Sequence, residues 1–181
     1  MTTKPPPTLY PKTRTRIGFS TPKTWNPLSA IIMWFTSSRA SHAWFVYWDD
    51  DFEMDMVLDA HGTGLRLLPY ESFEKHNKIV KVIAPKFDIE PGLKEMGKLL
   101  GTMYDFAGLL GMVVVLLGRF FKRGWKNPFR SPSSVFCSEC VARAMVLTPG
   151  YKDLDIDPEA VDPEWLLRYF EKEEAEDAAK A

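Results

Sequence analysis

The chain has 181 residues, 45% of them hydrophobic and 26% charged, which suits one folded domain with a core and excludes disordered and fibrous classes. Its 23 basic and 24 acidic residues leave a net charge of −1, which argues against a nucleic-acid binder that needs many unopposed phosphate contacts. The opening Met1-Thr-Thr-Lys-Pro-Pro-Pro has a charge but no apolar stretch behind it, so no secretory signal is read, and the chain is expected to be cytoplasmic as made.

Residues 1–15, rich in Pro and Thr without periodicity, are expected to form an extended N-terminal arm, with residues 16–181 as a single domain. Residues 1–48 carry six Lys or Arg and no acid, whereas 49–59 carry six acids and no base; solvated termini and a hairpin turn account for both. Asn26-Pro27 has the form of an N-cap followed by proline at the first helical position, which predicts a helix over 27–37 with Leu28, Ile31, Ile32 and Phe35 on one stripe. Ala43–Trp48 is aromatic and β-branched, and bounded by Asp49-Asp50-Asp51, as a buried strand would be. Over 54–61 apolar and polar residues alternate, predicting a second strand in a hairpin with the first. Gly62-Thr-Gly64 turns the chain into Leu65–Leu68, and Lys78–Ala84 supplies a further strand ended by Pro85.

From Pro91 the spacing becomes helical through Leu93, Met96, Leu99, Leu100 and Met103. Phe106–Gly118 is apolar throughout but shorter than the ~20 residues a spanning helix needs, so a buried core helix is expected. A basic loop with Arg119, Lys122, Arg123, Lys126 and Arg130 follows, then a helix holding Cys137 and reaching about Leu147. Asp162-Pro163 should open a last helix over 162–179, with an acidic end.

Cysteine attacks as the thiolate, so an enzyme must lower its pKa, and a helix N-terminus and an adjacent imidazole are two ways to do so. Ser133 or Ser134 as N-cap would put Cys137 in the first turn of its helix, where free N–H groups face the sulfur and could hold an oxyanion. Cys140 lies one turn deeper and reads as core; the short spacing of the two cysteines favours reduced thiols over a bridge. Of three histidines, His76 reads as surface, while the hairpin brings His42 near the far end of the next strand. Pairing Trp48 with Glu53 sets His42 opposite Asp59; pairing it with Asp55 sets His42 opposite His61; the register between them offers only Ala60. Cys137, Cys140, His42 and His61 could be drawn as a zinc set, but the Cys pair falls in an apolar-striped helix rather than a tight turn, so neither a metal nor any cofactor is expected.

Ser41-His42 at a strand start, Val57-Leu-Asp-Ala60, Tyr104-Asp-Phe106 and Phe136-Cys-Ser-Glu139 occur in an order that resembles the YiiX/YaeF-like branch of the circularly permuted NlpC/P60 superfamily. The resemblance implies an α+β papain-like fold, a small antiparallel sheet against helices, with the nucleophile at a helix N-terminus. It implies Cys137 as nucleophile, His42 as general base and Asp59 as the residue orienting the imidazole, with His61 as rival. It also implies a cysteine hydrolase or acyltransferase acting on an amide or ester, with peptidoglycan peptides as the first substrate class and lipid acyl groups as the alternative. A non-catalytic virion protein keeping the fold is the other class. The Gly-Asp pair expected on the first strand is absent near Ile17-Gly-Phe19, and segment 106–130 is an insertion whose apolar and basic halves suit a membrane surface or a virion contact. The oligomeric state is not legible from the sequence.

Overall fold

A computed structural model describes residues 15–129 and 134–179. The arm over 1–14, Arg130, Ser133 and the side chains of Leu28 and Phe35 fall outside the described residues. In chain order the elements are β1 (Arg16–Pro22), α1 (Pro27–Thr36), β2 (His42–Asp49), β3 (Met54–His61), β4 (Gly64–Pro69), α2 (Tyr70–His76), β5 (Asn77–Ile83), α3 (Glu90–Gly97), α4 (Phe106–Phe120), α5 (Cys137–Val146) and α6 (Pro163–Ala178). Short 3₁₀ turns at Pro149–Tyr151 and Pro158–Ala160 join the last two helices. The architecture is α+β, with one antiparallel sheet ordered β4-β3-β2-β1-β5 and helices on both faces.

Period-two alternation divides the strands between two apolar layers. Ile17, Phe19, Ala43, Phe45, Leu58, Ala60 and Leu65 face a core completed by α3, α5 and α6, through residues such as Leu93, Val141, Met145 and Phe170. The opposite face carries Trp44, Val46 and Val57 beneath Tyr70 and Phe73 of α2. Trp44 lies across β1 so closely that a Cβ on Gly18 would stand 2.2 Å from its ring, so only glycine fits there.

Caps fix the helix starts. Asn26 accepts from the Ser29 N–H at 3.1 Å, and Asp162 accepts from the Trp165 N–H at 2.8 Å, each just before a proline, as their spacing predicts. The helical spacing read through to Met103 is interrupted. α3 stops at Gly97, and Gly101, with φ 79°, donates its N–H to the Leu65 carbonyl at 2.9 Å, leaving Met103 81% exposed. The apolar segment forms α4, but not as the fully buried helix its composition suggests. Leu109, Met112 and Val115 are buried, whereas Phe106 is 53% and Leu110 61% exposed. No described helix is long and apolar enough to cross a membrane.

Candidate active site

The start of β2 is where two layers of the protein meet. Ser41, which precedes the strand, is tied to α1 by a 2.5 Å hydrogen bond donated by the Ser29 hydroxyl. β2 pairs with β1 as far as Ser20↔His42, but its pairing with β3 ends at Phe45↔Leu58. The register is the one that aligns Trp48 with Asp55, and continuing it would bring His61 opposite His42. The ladder stops first. His42 Nε2 donates instead to Asp59 Oδ1, a diagonal neighbour, while His61 lies exposed.

Asp59 is held from its far side as well. Arg66 Nε and Nη2 donate to Asp59 Oδ2 at 3.0 and 2.7 Å, across the β3–β4 pair Asp59↔Arg66. Arg66 was not singled out from the sequence, yet a signal existed: the two-residue connection Gly62-Thr63 pairs His61 with Gly64 and therefore position 59 with position 66. Phe73 of α2 stacks on the other side of the imidazole, ring centroids 6.2 Å apart.

Cys137 is the first residue of α5 and only 2% exposed. The N-cap is Phe136, not Ser133 or Ser134; the Phe136 ring is fully buried and offers no oxygen, so the helix start is braced from below by Glu139 Oε2, which accepts the Phe136 N–H at 3.2 Å. With no side-chain cap in the way, the first-turn N–H groups are free to meet the sulfur. The backbone N–H groups of Ser138 and of Ala43 on the neighbouring strand stabilise negative charge on the Cys137 sulfur, and the Ser41 carbonyl lies 3.9 Å from Sγ. The His42 imidazole also lies against the sulfur and stabilises its negative charge.

The charges of these groups are strongly coupled. Burial pushes the Cys137 thiol up, but the His42 imidazolium and the Ala43 and Ser138 N–H groups pull it further down, so its pKa is lowered overall. Burial disfavours the His42 cation, yet Asp59 and Cys137 outweigh it and raise the imidazole pKa to about 10. Asp59, likewise penalised by burial, is brought down to about 2 by His42 and Arg66. The arrangement shifts Cys137 toward thiolate and His42 toward imidazolium relative to the free side chains. By contrast, burial drives the Cys140 thiol far above its ordinary value, which suits a small core side chain. His61 is lowered by partial burial and by Arg66.

Tyr104 completes the cluster. Its hydroxyl is buried beside the Cys137 backbone and sulfur, and burial together with the sulfur's charge raises its pKa well above the ordinary value. Three local features hold it there. Tyr104 bridges Val135, two residues before Cys137; Asp105 caps α4 by accepting the Gly108 N–H at 2.7 Å; and the Thr102 carbonyl accepts the Leu65 N–H at 3.1 Å. That last contact requires Gly64, whose φ is +119° and whose Cβ, if present, would stand 2.1 Å from the Thr102 carbonyl oxygen. The Tyr-Asp pair thus divides its work, with the tyrosine on the sulfur and the aspartate on the helix.

A separate cavity of about 410 Å³, bounded by Tyr47, Trp48, Leu58, Leu67 and Leu93, opens at the other end of β2 and does not include Cys137 or His42. Among the described residues no group of His, Cys, Asp or Glu side chains is arranged to hold a metal ion. No protein-family model matches the chain, and no curated protein matches it either.

Proposed function

We propose that the protein is a cysteine-dependent hydrolase or acyltransferase, with Cys137 as nucleophile, His42 as its acid–base partner and Asp59 as the orienting carboxylate. The observation that carries this reading is the hydrogen-bonded set His42–Asp59–Arg66 beside a Cys137 sulfur at a helix N-terminus. The order of the pieces, histidine on a strand well before cysteine on a helix, favours a permuted NlpC/P60 papain-like fold.

In this mechanism the Cys137 thiolate attacks the carbonyl carbon of an amide or ester, and the C–S bond forms as the carbonyl electron pair moves onto oxygen. The Tyr104 O–H, beside the sulfur, would serve as a donor to that oxyanion. Collapse expels the amine or alcohol, which takes a proton from His42, leaving a thioester and a neutral imidazole. Water or an acceptor alcohol or amine then gives its proton to His42 and attacks the thioester, which restores the thiolate.

Peptidoglycan peptides are the first substrate class. A lipid acyl ester is the second, favoured by Phe106, which is half exposed and packs edge-on against Tyr104 with ring centroids 4.9 Å apart. The test is a panel of muropeptides and phospholipids incubated with wild type and with Cys137→Ala. Turnover of either class, lost in the variant and preceded by a covalent acyl adduct on Cys137 in intact mass, supports the proposal. Absence of any adduct with both classes and with a general thiol-directed acyl probe counts against it.

A further inference from the structure

Helix α4 is apolar on both sides. Its inner face, Leu109 and Met112, packs against Ile32 and Phe136, yet Phe106 and Leu110 point outward one turn apart, with Val113, Val114 and Leu117 half-buried. The chain then doubles back along the helix. Arg123 N–H donates to the Gly118 carbonyl at 2.7 Å, Trp125 packs against Gly118, and buried Asn127 donates from Nδ2 to the Gly108 carbonyl at 2.9 Å. This return segment presents Lys122, Arg123 and Lys126 to solvent, interleaved with Trp125 at 42% and Phe129 at 50% exposure.

The sequence from 106 to 138 contains five Lys or Arg and no Asp or Glu, in a chain whose net charge is −1. An outward apolar face beside an unopposed basic strip is what an anionic lipid surface complements: the apolar side chains enter the headgroup boundary and the cations meet the phosphates. A second copy of this chain is the poorer fit, because a two-fold contact would set the same basic strip against itself. The helix, about 22 Å long at 1.5 Å per residue, is too short to span and suited to lie in the plane.

We propose that α4 and the return segment 121–129 form a docking face for anionic bilayers. The face stands on its own residues and is independent of the cysteine chemistry proposed above.

Co-sedimentation of the full chain with phosphatidylcholine vesicles, with and without phosphatidylserine, tests it. Expected are binding that requires phosphatidylserine, a loss of roughly tenfold or more with the Lys122→Glu/Arg123→Glu/Lys126→Glu triple variant, a comparable loss with Leu110→Ser, and unchanged binding by Cys137→Ala. Hydrogen exchange of the wild-type chain provides a readout free of variants: vesicles should protect 106–129 above the rest of the surface. Binding that is indifferent to phosphatidylserine, retained by the triple variant, or accompanied by no protection at 106–129 overturns the proposal. So does a concentration-dependent dimer that Leu110→Ser abolishes, with no vesicle binding.

Discussion

His42 and Asp59 meet on the diagonal of a strand pair whose ladder ends three residues short of the histidine. Because β2 and β3 separate there, the imidazole can tilt away from the position opposite His61, with Nε2 on the carboxylate and the ring beside the sulfur. The protonation of Cys137 therefore depends on a carboxylate that never touches it.

The first consequence concerns thiol reactivity. Alkylation of Cys137 by iodoacetamide should follow a pH profile whose midpoint lies below the ordinary thiol value, since His42 and two N–H groups lower its pKa. In His42→Ala the midpoint should move up, because only the two N–H groups are left to oppose burial, and the rate at pH 6.5 should fall about tenfold or more. Turnover of any substrate found should fall about 10²–10⁴-fold. An unshifted profile would mean that the imidazole does not govern the sulfur.

The rival histidine is separable by NMR. Asp59→Asn should lower the His42 pKa from about 10, whereas His61→Ala should leave it in place, because His61 works slightly against the His42 cation and offers it no hydrogen bond. The two-dimensional imidazole spectrum across pH 5–11 reads both directly.

Asp59 also ties stability to pH. Its folded pKa, about 2, lies below the unfolded carboxylate value, so its contribution is complete above about pH 4 and disappears as the pH falls through about 2. A shift of this size corresponds to about 2–3 kcal/mol, shared with His42 rather than additional to it. His42 has the opposite sign: its raised pKa makes its contribution complete below about 6.5 and lost as the pH rises through about 10. Urea unfolding should show wild type losing more stability than Asp59→Asn between pH 4 and pH 2, with the variant about 3 kcal/mol less stable at pH 7.

Tyr104→Phe removes one hydroxyl and leaves the ring contact with Phe106. Thermal stability should change little, while kcat should fall about 10–10³-fold at nearly constant KM if the hydroxyl serves the oxyanion. A rise in KM with kcat intact would assign the tyrosine to substrate binding instead.

Gly64→Ala combines a positive φ with a carbonyl in the way, and should cost about 1–3 kcal/mol while drawing Thr102–Tyr104 off β4. The melting temperature and the Cys137 alkylation rate should change together; a change in one alone would separate Gly64 from the site.

The hairpin was legible because the Asp run marks its turn and alternation marks its second strand, and Asp49 Oδ1 indeed accepts the Asp51 and Phe52 N–H groups at 3.0 Å each. Its register was not, since three alignments satisfy the same turn, and the end of the β2–β3 ladder leaves no sequence mark. The serines before Cys137 have the chemistry of a cap and mark the helix start to within a few residues, but the helix opens later, at Cys137 itself. The true cap, Phe136, is selected by burial of its ring and by a glutamate three residues on, a preference that cap statistics cannot reveal. The buried half of α4 followed from composition; its outward half did not, because an unbroken apolar run carries no phase to say which side meets the core.

Arg66 gives the cluster an electrical property that outlasts any one protonation state. Thiolate, imidazolium, carboxylate and guanidinium sum to zero at rest. In the proposed cycle, acylation removes the sulfur's charge in the same passage that strips the imidazole of its proton, so the sum is again zero, with Asp59 still countered by its 2.7 Å neighbour. Replacing Arg66 with a neutral residue would leave the sum at −1 throughout the cycle, and only at the thioester stage, where the imidazole is neutral, would Asp59 have no cation beside it, so the penalty should fall most heavily on the intermediate.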